Sequence, residues 1–142
     1  MPVFNIGNDQ VNGVQKASDW IRNGLDVIAI KFAEEFGRYL VRPNNNQNEA
    51  LTTSQIRNVY GEILRLKMKR VDKTSLLLLK PRLAYMTKRK GTQGSREFHD
   101  VIVKALDEVL NSDNENELNQ RFQNFANFFE AILAYHRSFG GK

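Results

Sequence analysis

Lysine and arginine side chains are concentrated in one segment of the sequence. Between Arg57 and Arg96 there are twelve of them against two acids, whereas the whole 142-residue chain has a net charge of +5. Residues 1–56 hold five basic and six acidic residues, and residues 97–136 hold two and eight. A face with a high positive potential attracts phosphate backbones and releases their counterions on contact. The pattern therefore favours a polyanion partner, with a well-solvated helix face as the alternative.

Helical phase sorts the first part of this segment. Counted at about 100° per residue from Ile56 at the centre of the apolar stripe, Arg65 and Lys69 point away from the core. Lys67 and Arg70 fall back toward the apolar side, which a buried helix accepts only with paired charges. The helix must therefore end near residue 68 or project past the bundle, and both arrangements expose a basic cluster.

A second basic cluster follows residue 79, and the two clusters could together form one wall of a groove. Phosphate contacts position a strand without reading its bases, so we expect sequence-independent binding. The candidate residues are Arg57, Arg65, Lys67, Lys69, Arg70, Lys80, Arg82, Lys88, Arg89 and Lys90.

The chain offers little for catalysis. His99 lies beside Asp100 near a helix start, and His136 lies on the apolar stripe of the last helix; neither has a metal-ligand partner four residues on. We interpret His136 as a ring packed at the end of the bundle and favoured by the helix dipole, with a general base as the alternative. Cysteine is absent, which excludes thiolate zinc sites and thiol nucleophiles. We predict no catalytic residue, no metal and no cofactor.

Residues 91–94, GTQG, match the GxxG loop with which KH domains clamp a nucleic-acid backbone. That domain surrounds its loop with a three-stranded sheet, and no alternating strand pattern is visible in this sequence. We therefore interpret these residues as a mobile basic loop.

The elements that must position these residues have helical periodicity. Apolar residues recur at steps of three and four over residues 21–40, with Ser18 placed to cap a helix and Pro43 to stop it, which predicts one long first helix. Thr52 or Thr53 caps a second helix. Because proline suits a first turn and clashes inside a helix, we expect a short third helix over about residues 81–88.

Ser95 opens a fourth helix, and Ser112 or Asn114 caps a fifth. An aromatic stripe on the fifth helix is typical of a core, although such rings can also stack on bases. Its members are Phe122, Phe125, Phe128 and Phe129. The sequence predicts an all-α fold in which residues 1–142 form a single compact bundle of about five helices.

Localisation follows from two absences. The start of the chain lacks a basic region followed by an apolar core, and the longest apolar run, residues 76–79, is too short to span a bilayer. With no cysteine to form disulfides, we expect a cytoplasmic protein with no membrane partner.

Three segments carry a resemblance to a known family. Residues 51–57 (LTTSQIR), 79–85 (LKPRLAY) and 128–137 (FFEAILAYHR) closely resemble the small subunit of the type III-A CRISPR effector, the Csm complex. Their order and spacing also fit. The similarity extends from about Leu51 to Gly141 and does not cover the sequence before Ile21 or the Asn-rich residues 44–48.

The resemblance implies a small helical subunit, present in several copies stacked along the effector, that holds the crRNA and target-RNA duplex without reading or cleaving it. Its partners would be crRNA, target RNA, other Csm subunits and further copies of itself. Arg57, Lys80, Arg82 and Arg137 lie in the shared motifs, which adds Arg137 to the candidate RNA-binding residues. Arg82 or Arg137 could instead pair with acids of a neighbouring copy.

Three other readings stay open. A DNA-binding regulator would need a dimer and side chains that read bases. An enzyme would need His136 or His99 paired with a carboxylate. The basic face could also bind an acidic protein while RNA passes elsewhere.

Overall fold

The computed structural model describes residues 2–88 and 91–142, which form an N-terminal hairpin and six helices. Two short 3-10 turns, Pro43–Asn45 and Gln47–Glu49, join the second and third helices. The strands are β1 (Val3–Ile6) and β2 (Asp9–Asn12), and the helices are α1 (Gly13–Asn23), α2 (Val27–Val41), α3 (Thr53–Met68), α4 (Lys73–Lys88), α5 (Gln93–Leu110) and α6 (Glu115–Ser138). The largely all-α class is confirmed, with six helices in the described residues where about five were expected.

One apolar cluster extends from the hairpin to α6. The phenylalanines of the α6 stripe are fully buried, which confirms that they form the core and do not stack on a ligand. Ring centroids of Phe98 and Phe129 lie 5.4 Å apart edge to face, and those of Phe32 and Phe128 lie 6.3 Å apart. Burial of one such side chain stabilises the fold by about 1.5–3 kcal/mol. Within the described residues, no helix is both long and apolar enough to cross a membrane.

The prediction of one long first helix was wrong. Gly24 interrupts it with φ of +104°, a conformation that glycine adopts without steric cost, and Asp26 then caps α2 by accepting from Ala29 N at 2.8 Å. Ser18 lies inside α1, which Asn12 caps. The apolar spacing continues on both sides of the break, so periodicity alone did not reveal it.

The N-terminal hairpin was also missed, because each strand has four residues and its alternation is short. Val3 pairs with Asn12 and Ile6 with Asp9. The hairpin packs on α2 through Phe4, whose ring centroid lies 5.6 Å from that of Phe32.

The expected short helix over residues 81–88 is longer than predicted. Helix α4 begins at Lys73, and Pro81 lies in the middle of the helix. Asp72, the residue before the helix, accepts a hydrogen bond from Ser75 N at 2.8 Å. An internal proline costs about 3 kcal/mol. Four buried side chains at about 1.5–3 kcal/mol each outweigh that cost. They are Leu76, Leu79, Leu83 and Met86.

The other helix ends agree better with the sequence. Thr52 caps α3 in a capping box with Gln55, α3 ends at Met68 as one alternative required, and Asn114 caps α6. Helix α5, by contrast, begins at Gln93 with Thr92 as its cap, two residues before the predicted start.

The loop interpretation of residues 91–94 was therefore wrong from Gln93 onward. Thr92 Oγ1 accepts a hydrogen bond from Ser95 N at 3.1 Å, and Gly94 lies in the first turn of α5. A Cβ on Gly94 would lie 2.7 Å from Leu51 N. The glycine thus allows a close backbone approach between two segments of the protein.

Candidate nucleic-acid interface

Helices α3 and α4 form an antiparallel hairpin with an open groove of about 750 Å³ between them. Ser54 and Asn58 of α3 line it opposite Arg82 and Tyr85 of α4, and Val59 contributes an apolar surface. The first turns of α3 therefore lie beside the last turns of α4. This pairing brings Arg82 of the second basic cluster beside the first turns of α3, whereas Lys67 and Lys69 of the first cluster lie at the other end of α3.

The carboxylate of Glu62 joins an arginine of α3 to an arginine of α4. Glu62 Oε2 accepts from Arg65 Nη2 at 2.6 Å, and Glu62 Oε1 lies 3.0 Å from Arg82 Nη1. The Arg65 hydrogen bond, with a further contribution from Arg82, lowers the pKa of Glu62 although partial burial opposes the shift. Glu62 is therefore ionised at neutral pH and holds two candidate RNA-binding arginines.

Three more candidate cations pair with acids of α5 and α6. Lys67 Nζ lies 3.0 Å from Glu130 Oε1, which supplies the paired charge that its helical phase required. Lys80 Nζ lies 2.5 Å from Asp107 Oδ1. The third pair joins Arg70 and Glu115. The acidic flank thus neutralises part of the basic segment within one molecule.

Four candidates are exposed and have no carboxylate within 4.0 Å in the described part of the chain: Arg57, Lys69, Lys88 and Arg137. Exposed ion pairs are worth about 0–1 kcal/mol each, so a paired cation is only weakly held. An unpaired cation nevertheless binds a phosphate without first releasing a partner. Arg89 and Lys90 lie outside the described residues.

Three of these unpaired cations lie at one end of the bundle. Leu51, just before α3, accepts a 2.6 Å hydrogen bond from His136 and so places the end of α6 beside the start of α3. Arg57 is in the second turn of α3, Lys88 ends α4 and Arg137 is in the last turn of α6. Lys69 lies at the other end of α3, about 18 Å from Arg57 along the helix.

Sequence reasoning missed the apolar and polar side chains that accompany these charges. Leu64 and Met68 of α3 are exposed, as are Leu77, Leu78 and Tyr85 of α4. Tyr85 exposes 58% of its surface. The signal for it was present, because Tyr85 ends the LKPRLAY motif that carried the resemblance.

His136 is packed at the end of the bundle, as predicted. Burial lowers its pKa, with Arg137 adding to the shift and the Leu51 carbonyl opposing it. With its pKa lowered, the ring is neutral at neutral pH and donates from Nε2 to the Leu51 carbonyl oxygen, and Nδ1 has no hydrogen-bond partner among the described residues. The side chain is fully buried.

His99, the other candidate histidine, lies beside Asp100. Its Nδ1 lies 3.2 Å from Asp100 Oδ1 at the surface. Among residues 2–88 and 91–142, no three His, Asp or Glu side chains are grouped so that they could hold a metal ion.

A polar network that the sequence did not reveal joins α2 to α5. Tyr39 donates to Glu97 Oε1 at 2.7 Å and accepts from Gln93 Nε2 at 3.0 Å. Burial, together with the neighbouring Glu97 carboxylate, raises the pKa of Tyr39 to about 12. With the phenol neutral and both partners satisfied, the network positions the start of α5.

Comparison with known proteins adds one finding. Residues 27–142 match the family model described as Csm2 Type III-A. The match starts at the first residue of α2, so it covers α2 to α6 and leaves out the N-terminal hairpin and α1. No curated protein and no solved structure matches the chain.

Proposed function

The chain belongs to the Csm2 type III-A family of small subunits of the type III-A CRISPR effector complex, and we propose that the protein holds RNA in that complex without cleaving it. The family match confirms the resemblance that the three sequence motifs indicated. Its partners in this proposal are the other Csm subunits, further copies of itself, crRNA and target RNA. The setting is antiviral defence in the cytoplasm.

The observation that carries the proposal is the distribution of unpaired cations on the α3–α4 hairpin. Arg57, Lys69 and Lys88 are exposed on it without a carboxylate partner in the described residues, and Arg137 adjoins one end. Arg65 and Arg82 are held in the same surface by Glu62. These side chains can contact phosphates at several points along one strand, and such contacts position RNA without reading its sequence.

Avidity supplies the strength of the interaction. One copy contributes a few phosphate contacts, so its affinity for RNA is weak and falls steeply with salt. Several copies stacked along one duplex bind the same strand, and each additional contact is then effectively intramolecular. We therefore expect the isolated protein to bind RNA weakly and the assembled effector to bind it strongly.

The test compares two triple variants with the same change in charge. Arg57→Ala/Lys69→Ala/Lys88→Ala removes unpaired cations, and Lys67→Ala/Arg70→Ala/Lys80→Ala removes cations that already pair with acids. Each is titrated into fluorescent single-stranded RNA and into an RNA duplex at several salt concentrations. The first variant is expected to lower the log–log salt slope on single strands by roughly 2, at about 0.7 per phosphate contact.

The second variant is expected to change the slope by less than half as much, because its cations are already engaged. Equal losses in both variants would mean that only net charge matters. Wild-type affinity in the first variant would refute the assignment of RNA to this face. Two RNAs of unrelated sequence should give the same result, since phosphate contacts do not distinguish bases.

A further inference from the structure

Two surfaces of the protein expose large apolar side chains in groups. On α4, Leu77 and Leu78 are 52% and 55% exposed, and the exposed Pro81 lies one turn further along the same side of the helix. On α2, Val27 and Ile30 are 68% and 39% exposed. Apolar residues that are exposed in groups, and not singly, indicate a contact with another molecule.

The surface around Leu77 and Leu78 has a basic border. Helix α4 contains four cations and no acid. Lys73 lies one turn before Leu77 and Lys80 lies three residues after it, so both flank the leucines. Lys73 has no carboxylate within 4.0 Å in the described part of the chain. A partner for this surface should therefore be apolar with acids at its edge.

The surface around Val27 and Ile30 is an open recess with acids at its edge. It has a volume of about 590 Å³ and lies between the first half of α2 and one residue of α6. Its apolar lining residues are Leu25, Val27, Ile30 and Tyr135. Asp26 and Glu34 line the recess together with one cation, Lys31. Neither acid has a cation within 4.0 Å among residues 2–88 and 91–142.

The two surfaces are separate, and they match each other in shape and charge. Helix α2 packs mainly on α6, whereas α4 packs on α3 and α5. The outer side of α4 is convex, apolar and basic at its border, and the α2 recess is concave, apolar and acidic at its edge. Because the surfaces differ, a contact between them leaves one of each kind open on every pair of molecules. Further copies can therefore add head to tail.

We propose that the Leu77–Leu78 surface of one copy binds in the α2 recess of the next copy, with the basic border of α4 against Asp26 and Glu34. This inference rests on the proposed function, in which copies lie side by side along one RNA strand, and it names the two surfaces that join them. The contact involves no RNA. The isolated protein should therefore self-associate in the absence of RNA.

The experiment measures the mass of the full chain by sedimentation equilibrium without RNA, over a wide range of protein concentration. Leu77→Ser/Leu78→Ser changes the α4 surface, and Val27→Ser/Ile30→Ser changes the α2 recess; neither alters net charge. The average mass of wild type should rise with concentration above the 16.4 kDa of one chain. Each variant alone should associate at least about tenfold more weakly, because two apolar side chains no longer leave water.

An equimolar mixture of the two variants is the sharpest test. The recess variant keeps an intact α4 surface and the α4 variant keeps an intact recess, so the mixture should form one-to-one pairs. Their mass should reach about twice that of one chain and rise no further, because the remaining surfaces are both altered. The matched control is Leu64→Ser/Met68→Ser, which removes exposed apolar side chains from α3 and should associate as wild type does.

Three results would overturn the inference. Loss of association in the α4 variant alone would indicate a symmetric contact between two α4 helices. A mixture that stays monomeric would show that the two surfaces do not bind each other. A wild type that stays monomeric, yet loses binding to the other Csm subunits when Leu77 and Leu78 are replaced, would assign the α4 surface to one of those subunits.

Failure of this contact can be told apart from failure of the RNA-holding function. The RNA titration with Arg57, Lys69 and Lys88 replaced tests that function without reference to self-association. A monomeric wild type that binds RNA through these cations would reject the contact alone. Emission from Trp20, the only tryptophan and a buried one, reports whether each variant is folded.

Discussion

Replacement of Glu62 by glutamine should strengthen RNA binding. Its carboxylate holds Arg65 at 2.6 Å and Arg82 at 3.0 Å in the free protein, so it competes with phosphate for both guanidinium groups. Glutamine has nearly the same shape and carries no charge. Glu62→Gln therefore releases two arginines on the proposed RNA face while leaving the packing between α3 and α4 largely unchanged.

The expected magnitude follows from the exposure of these pairs. Glu62 is 22% exposed and its partners are nearly half exposed, so each pair is worth at most about 1 kcal/mol. Loss of both competing pairs can therefore add up to about 2 kcal/mol to binding. At low salt we expect an increase in RNA affinity of about 3- to 30-fold. The gain should decline as salt screens the surface charges.

The assay is the same RNA titration over a range of salt concentrations, with Asp9→Asn as the matched control. Asp9 lies in β2 and has no ion-pair partner in the described residues, so its replacement changes net charge equally away from the hairpin. We expect Asp9→Asn to change affinity less than twofold. An equal effect of both variants, or a decrease in affinity with Glu62→Gln, would refute the role of Glu62 as a competing anion.

The stability of Glu62→Gln gives an independent check with a defined sign. The pKa of Glu62 in the folded protein is lower than its ordinary value of 4.5, so its contribution to stability is present above that value and is lost as pH falls through the folded pKa. The difference in unfolding free energy between wild type and variant should therefore be constant at neutral pH. It should shrink toward zero in acid.

Three further outcomes are expected. Folding lowers the pKa of His136 from 6.5, so the unfolding free energy of wild type should decrease as pH falls below about 6.5. In chemical denaturation, His136→Leu should remove that part of the pH dependence. An unchanged profile would contradict the neutral buried ring. If residues 1–142 form one domain, unfolding should shift the emission of Trp20, which is 3% exposed, to the red in the same transition in which helical circular dichroism is lost. Two separate transitions would contradict a single domain. Gly94→Ala should lower the unfolding free energy by about 1–3 kcal/mol, because the added Cβ would lie 2.7 Å from Leu51 N. The control is Gly61→Ala in α3, where an added Cβ meets no atom within 4 Å, and it should leave the unfolding free energy unchanged or raise it.

Local signals in the sequence were sufficient for several elements. Thr52 and Asn114 cap their helices through side-chain hydrogen bonds within three residues, so a short window reveals them. The buried stripe of α6 extends from Leu118 to His136, about five turns, and its burial followed from spacing alone. By contrast, the helix that runs through Pro81 depends on packing against other helices. Local preference is outweighed there by core burial.

The helical class, the main caps, the position of the basic segment and the family motifs could be predicted from the sequence, because each depends on residues close together in the chain. Which basic residues remain available depends on how the helices pack. Lys67 and Glu130 are 63 residues apart, yet their charges lie 3.0 Å from each other, and a count along the chain cannot detect this cancellation. The same distinction applies to the α3–α4 groove. Ser54 and Asn58 line it together with Arg82 only because α4 folds back along α3, since a groove forms between helices and has no signature in either helix alone.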